Sequence, residues 1–257
     1  MNFFASTQYR PSKLLLGVET YEPKVLYLVV RDAKNPQTQY TNRYMTVNGQ
    51  AEFEVYMPVA PKEAEIIIAS EQEVQGGRKD TQYRVRKARR DDLYSGHFNF
   101  QATTGRSDVD SFIKFAEEFA GKASYSSAGG SMYVSDDGKY RILYLDKIVD
   151  RGTGRVLKTP ARISRTTGQI EISKHHFKQY TVPMRMAILL HEFSHFYLND
   201  NSADEIEADL NALAMYLEKG YPTVDAYNVF TQVFADSPTD LNKARYKRID
   251  EFIKRYR

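Results

Sequence analysis

The apolar residues of this chain change their period near Thr104, so it must fold as two differently built halves. Before that point the runs are short and strand-like. Lys24-Val25-Leu26-Tyr27-Leu28-Val29-Val30 stops at Arg31-Asp32. Tyr44-Met45-Thr46-Val47 meets Asn48-Gly49, a two-residue hairpin signal, and alternation resumes in Glu52-Phe53-Glu54-Val55-Tyr56-Met57. Pro58 and Pro61 break the chain before another apolar run, Ala64 to Ala69. Strands at this spacing predict a β-sandwich or small barrel. None of these residues is of a type that builds a catalytic site, so residues 1–103 are expected to be a β-rich docking or structural domain.

Beyond Thr104, Val109, Phe112, Ile113, Ala116 and Phe119 recur at helical spacing between Ser107 and Ala120, with Gly121 as the stop. Ser124 to Gly130 is small and flexible in character. Strand-like segments follow at Met132–Ser135, Tyr140–Leu145, Val156–Ser164 and Ile170–Ser173, parted by turns at Asp137-Gly138, Gly152 to Gly154, and Gly168. From Pro183 onward the pattern is helical. The last helix, Thr239 to Arg257, has a packing face of Leu241, Ala244, Ile249, Phe252 and Ile253, and its basic residues crowd the C-terminal end, as the helix dipole favours. The fold class is α+β, with the second domain spanning residues 104–257.

The absence of Cys excludes disulfides, thiolate metal sites and a Cys nucleophile, and it fits a reducing compartment. No stretch approaches the roughly 20 apolar residues of a membrane helix, and the Leu14–Leu16 run is too short for a signal peptide. A location in the cytoplasm or in a virion is expected, with no membrane partner. The formal net charge is +3. The basic run Arg84-Val85-Arg86-Lys87-Ala88-Arg89-Arg90 has no interleaved aromatic platform, so it is expected to be a solvated surface strand or linker, and no nucleic-acid partner is expected.

Chemistry enters at His191-Glu192-Phe193-Ser194-His195, an H-E-x-x-H sequence. Two His at i and i+4 share one helix face, so both imidazoles reach one metal ion. Glu192 then leans over that metal, placed to take a proton from water. Met186, Leu189, Leu190, Phe193, Phe196 and Tyr197 give the helix an apolar stripe on another edge. After a short polar turn come Glu205-Ile206-Glu207-Ala208-Asp209, on a helix that ends at Gly220 with Pro222 beyond. Helices joined so tightly must be antiparallel neighbours, which brings Glu205 to the metal. Two His and one Glu with an open fourth position form a common hydrolytic zinc set. Asp209, one turn on, would accept a hydrogen bond from the N–H of a ligand imidazole. A plainer reading makes Glu205 part of a capping box with Ser202, and Glu207 is the competing ligand. His175-His176 are expected to be an ordinary surface pair, and His97 has no assigned role.

H-E-F-S-H followed by E-I-E-A-D resembles the gluzincin metallopeptidases, whose third ligand comes from an E-x-x-A-D or E-x-x-A-N helix. The tight spacing, with Ala212-Leu213-Ala214-Met215-Tyr216-Leu217 following, is most similar to ImmA/IrrE-type peptidases and related small gluzincins; the M48 family shares E-x-x-A-D with more chain between the motifs. The resemblance covers roughly residues 105–235. It implies a zincin-like domain, a bound Zn2+, hydrolysis of a protein or peptide substrate, and pairing of that substrate with the last strand before the active helix, as an edge strand. Tyr216 or Tyr221 would be the oxyanion stabiliser. The rival expectation is a structural component of a large protein assembly, such as a phage virion or tail protein, carrying a zincin-like domain with little or no activity.

Overall fold

The computed structural model describes residues 1–93, 106–124, 132–235 and 239–256, which form a mixed α+β protein with antiparallel sheets and seven helices among them. The composition change near Thr104, His97 and most of the Ser124-to-Gly130 run lie outside these residues. The chain divides into two compact units, Met1–Gln101 and Ala102–Arg257.

The first unit contains β1 (Asn2–Ser6), β2 (Ser12–Thr20), β3 (Lys24–Asp32), β4 (Gln39–Val47), β5 (Gln50–Met57), β6 (Glu63–Ser70), a single helical turn α1 (Glu71–Val74) and β7 (Tyr83–Asp92). They form two antiparallel sheets, ordered β1-β6-β3-β4 and β5-β2-β7. The buried residues include Leu14, Leu15, Leu16 and Val18 of β2, Leu26, Leu28, Val29 and Val30 of β3, and Ala64, Ile66 and Ile68 of β6. Each such Leu, Ile or Val side chain contributes roughly 1.5–3 kcal/mol of transfer free energy.

The expected hairpin at Asn48-Gly49 is corrected by this topology. Gly49 does take a φ of 74°, but the strands it joins enter different sheets. β4 pairs with β3, and β5 pairs with β2 from Ser12↔Met57 to Glu19↔Gln50. Long ladders to apolar neighbours outweigh a local turn preference, because β-pairing is decided by tertiary context. The basic run falls in the outer strand β7, where Arg84 and Arg86 pair with Glu19, Lys87 with Glu52, and Arg89 with Asp91.

In the second unit, α2 (Ser107–Lys122) continues past Gly121 and buries Val109, Phe112, Ile113, Ala116 and Phe119. Strands β8 (Met132–Val134), β9 (Arg141–Leu145), β10 (Ala161–Ile163) and β11 (Ile170–Ser173) form one sheet ordered β10-β11-β9-β8. Only the β9–β11 pair is parallel. β11 is therefore interior, and the sheet ends beside it in β10; the expectation that β11 is an edge strand is corrected. The expected strand Val156–Ser164 is limited to the three residues of β10.

A helical turn α3 (Lys174–Phe177) leads into α4 (Val182–Tyr197), α5 (Glu205–Glu218), α6 (Thr223–Ala235) and α7 (Asp240–Tyr256). Thr181 caps α4 by accepting from the Met184 N–H, with Pro183 in the first turn. Every residue from Val182 to Leu190 is buried. Phe193 stacks on Phe112 at 4.1 Å between ring centroids, with Tyr140 edge-on to both. Arg185 is fully buried, and it donates to the carbonyls of Phe177 (3.0 Å) and Ala120 (2.8 Å) and to the Ser124 hydroxyl. A guanidinium in the interior is tolerable only with such partners. It ties the start of α4 to the ends of α2 and α3.

Replacing Arg185 with Ala would take a donor from the Ala120 and Phe177 carbonyls and from the Ser124 hydroxyl and leave a cavity, so Arg185→Ala is expected to lower stability by about 3 kcal/mol. Urea denaturation measures this, and a loss below about 1 kcal/mol would contradict the pinning role.

Candidate metal centre

α4 and α5 are joined by only seven residues, and Asp204 ends that turn by capping α5, its side chain accepting from the N–H groups of Ile206 and Glu207. Glu205 is thus the first residue of the helix, not the third residue of a capping box starting at Ser202. Its side chain is left free to turn toward α4. Glu207 faces the connecting turn instead and accepts from the Asp200 N–H at 3.2 Å.

The ring nitrogens His191 Nε2 and His195 Nε2 lie 3.1 Å apart. Glu205 Oε2 is 3.4 Å from His191 Nε2, and its Oε1 is 3.5 Å from His195 Nε2. Zinc bonds of about 2.1 Å set tetrahedral ligand atoms roughly 3.3–3.4 Å from one another, so this triangle has the size and the donor types of a zinc site. Among the described residues, His191, His195 and Glu205 are the group able to hold a metal ion.

Asp209, one turn along α5, is 1% exposed and places Oδ1 2.9 Å from His191 Nδ1, although off the line of the N–H. His195 Nδ1 is buried without a hydrogen-bond partner, so packing orients its ring. Arg245 of α7, which sequence reasoning missed, donates to Asp209 through Nε (2.7 Å) and Nη2 (2.9 Å). Its Nη1 also lies 3.2 Å from Glu205 Oε2, and its guanidinium sits over the Phe234 ring. The signal was present: Arg245 is four and eight residues before Ile249 and Ile253, the two buried residues of α7, and so lies on the stripe that faces inward.

Burial pushes the Glu192 carboxyl above its ordinary pKa, against the pull of His191, His195 and the Ile163 backbone N–H of β10. Burial would raise Glu205 too, but His191, His195 and Arg245 hold it well below its ordinary value. Asp209 is likewise lowered, its burial outweighed by Arg245 and His191. For His191, burial opposes the charged form, yet the Asp209 and Glu205 carboxylates prevail and raise its pKa to about 10.

No family model matches the chain, and no curated protein or solved structure matches it significantly.

Two expected members do not join the site. Tyr216 is fully buried and donates to the Pro222 carbonyl, while Tyr221 donates to Glu117 at 3.0 Å and stacks on Tyr216. Tyr216 shares a face with Glu205 but stands eleven positions further along α5, roughly 16 Å of helical rise. The expectation of an oxyanion role for either is therefore corrected. His176 bonds Ser173, and His175 packs edge-on to it, away from the triangle.

A cleft of about 270 Å³ opens on His191, Glu192, His195 and Glu205, walled by β10 and α6. Because metal ligands must be deprotonated, zinc uptake at pH 8 is expected to expel about one proton, from His191, and affinity is expected to rise with pH toward about 10. Titration calorimetry in buffers of different ionisation enthalpy reads the proton count; heats independent of buffer would refute it. Asp209→Asn is expected to weaken zinc binding by about 10–100-fold in a competition titration with a chelator.

Proposed function

We propose that this chain is a zinc-dependent metallopeptidase of the gluzincin type, hydrolysing peptide bonds in a protein or peptide substrate. The observation that carries the reading is the convergence of His191, His195 and Glu205 on one point, with the Glu192 carboxylate beside it in an open cleft. The likeness of H-E-F-S-H and E-I-E-A-D to gluzincin motifs supports it. The mixed sheet preceding α4 supports a zincin-like arrangement of the second unit.

His191, His195 and Glu205 would hold the zinc. Bound there, the ion supplies a Lewis acid that makes water a nucleophile near neutral pH and stabilises negative charge developing on the substrate carbonyl oxygen. Glu192 takes the proton of the attacking water on its carboxylate and passes it to the departing amine nitrogen. Burial raises its pKa, which makes the carboxylate a stronger base toward the water proton. Asp209 and Arg245 fix the orientation of His191 and Glu205. An extended substrate adds to the outer edge of β10, whose Ile163 lines the same cleft as Glu192.

Glu192→Gln is expected to abolish hydrolysis of a casein or peptide-library substrate while leaving about one zinc per chain, and His195→Ala is expected to lose the zinc. Elemental mass spectrometry and a cleavage assay read the two. Zinc-free wild-type protein after reconstitution, or an active Glu192→Gln protein, would overturn the reading.

A further inference from the structure

Resting on the peptidase reading above, we infer that the site selects peptides carrying a large apolar side chain within two residues of an acidic one. Two features of the cleft point there. The first is its wall. Ile188 of α4, Val229, Phe230, Val233 and Phe234 of α6, and Leu157 before β10 form a continuous apolar lining next to the metal-binding triangle. An apolar cavity of about 150 Å³ accommodates benzene, so a cleft of about 270 Å³ takes a Phe or Leu side chain with room for its backbone. A polar side chain placed there would lose water without gaining a partner.

The second feature is the charge at the mouth. Three guanidinium groups line the cleft, and two of them are committed. Arg162 is bonded to the buried Glu171 at 2.7 Å, and Arg245 is bonded to Asp209. Arg165 is different: it is half exposed, it lines the cleft, and its nearest ionic partner among the described residues is Glu205 at 3.9 Å. Once Glu205 serves as a metal ligand, its charge is shared with a divalent cation. A divalent ion held by His191, His195 and Glu205 would add positive charge to this mouth, with Arg165 as the group facing solvent.

The Arg165 backbone is held in place. The turn closes through Ser164 N–H to Gln169 O and Gly168 N–H to Ser164 O, each 2.8 Å. Gly168 has a φ of 68°, and any Cβ there would meet the Tyr197 hydroxyl at 2.6 Å, so the turn lies directly on the end of α4. A cation so placed, at the rim of an apolar cleft, recognises a carboxylate on the segment flanking the inserted side chain.

The test uses the full chain reconstituted with zinc and quenched fluorescent peptides identical except at two positions: Glu/Phe, Lys/Phe and Glu/Ala pairs, each in both orders. kcat/KM is expected to favour Glu/Phe over Lys/Phe by about tenfold and over Glu/Ala by at least about tenfold in one of the orders. Arg165→Glu is expected to invert the Glu-to-Lys ranking and keep the Phe-over-Ala ranking; Arg165→Ala, the milder variant, is expected to erase the first and keep the second. Anisotropy titrations of the same peptides onto zinc-loaded Glu192→Gln protein read binding without turnover and should reproduce the ranking. Peptides cut or bound alike regardless of charge and apolar size, by a zinc-loaded chain that needs Glu192, would overturn the selectivity and leave the peptidase reading standing. A chain that takes up no zinc would overturn both.

Discussion

Three carboxylates, Glu192, Glu205 and Asp209, occupy one largely buried corner of the second unit, and the rest of that unit is arranged so that they can stay there. An isolated buried carboxylate is costly enough that it would protonate or drag water in with it. Here each has a cationic or proton-donating neighbour drawn from a different element. His191 and His195 come from α4, Arg245 from α7, and the Ile163 N–H from β10. The corner therefore joins two helices and a strand edge to α5. A divalent ion fits the same logic, since it would neutralise the triangle facing the cleft while Arg245 neutralises the face behind it.

That division of labour explains why Arg245 bonds Asp209 more closely than Glu205. A guanidinium fully engaged with Glu205 would compete with a metal for the same oxygens. With Nε and Nη2 given to Asp209, only Nη1 approaches Glu205, and only at Oε2. The Oε1 atom remains directed at His195 Nε2. Arg245 thus aligns the Glu205 carboxylate without consuming it.

Much of this was legible in the sequence, because i,i+4 spacing on a helix is a local property. His191, His195, Glu205 and Asp209 sit where helical geometry puts them, once α4 and α5 are antiparallel neighbours. The choice of Glu205 over Glu207 turns on the cap: Asp204 starts the helix one residue before Glu205, which aims the two carboxylates to different sides. Strand partners were less legible. Asn48-Gly49 has the residue types of a hairpin, yet β4 and β5 find longer ladders in separate sheets, and no local pattern encodes which distant strand offers the better partner.

Arg245, which sequence reasoning missed, and β11, which the family resemblance placed at an edge, are both charged where the protein is buried. Arg245 belongs to a helix dense in Lys and Arg, and a charged side chain on a packing stripe reads as solvent-facing unless its partner is known. Ile170-Glu171-Ile172-Ser173 alternates as a half-exposed edge strand would, yet all four residues are buried, and Glu171 is held between Arg151 and Arg162. In both places a charged group lies inside because an opposite charge on a neighbouring element has come to meet it. The pairing of Asp209 with Arg245 spans α5 to α7, and that of Glu171 with Arg162 spans β11 to β10. A sequence displays the charges but not their pairing, so a buried ion pair erases the very alternation from which burial is inferred. The second pair has a structural consequence: by satisfying Glu171 inside the sheet, it lets β11 lie within and leaves β10 as the strand that borders the cleft.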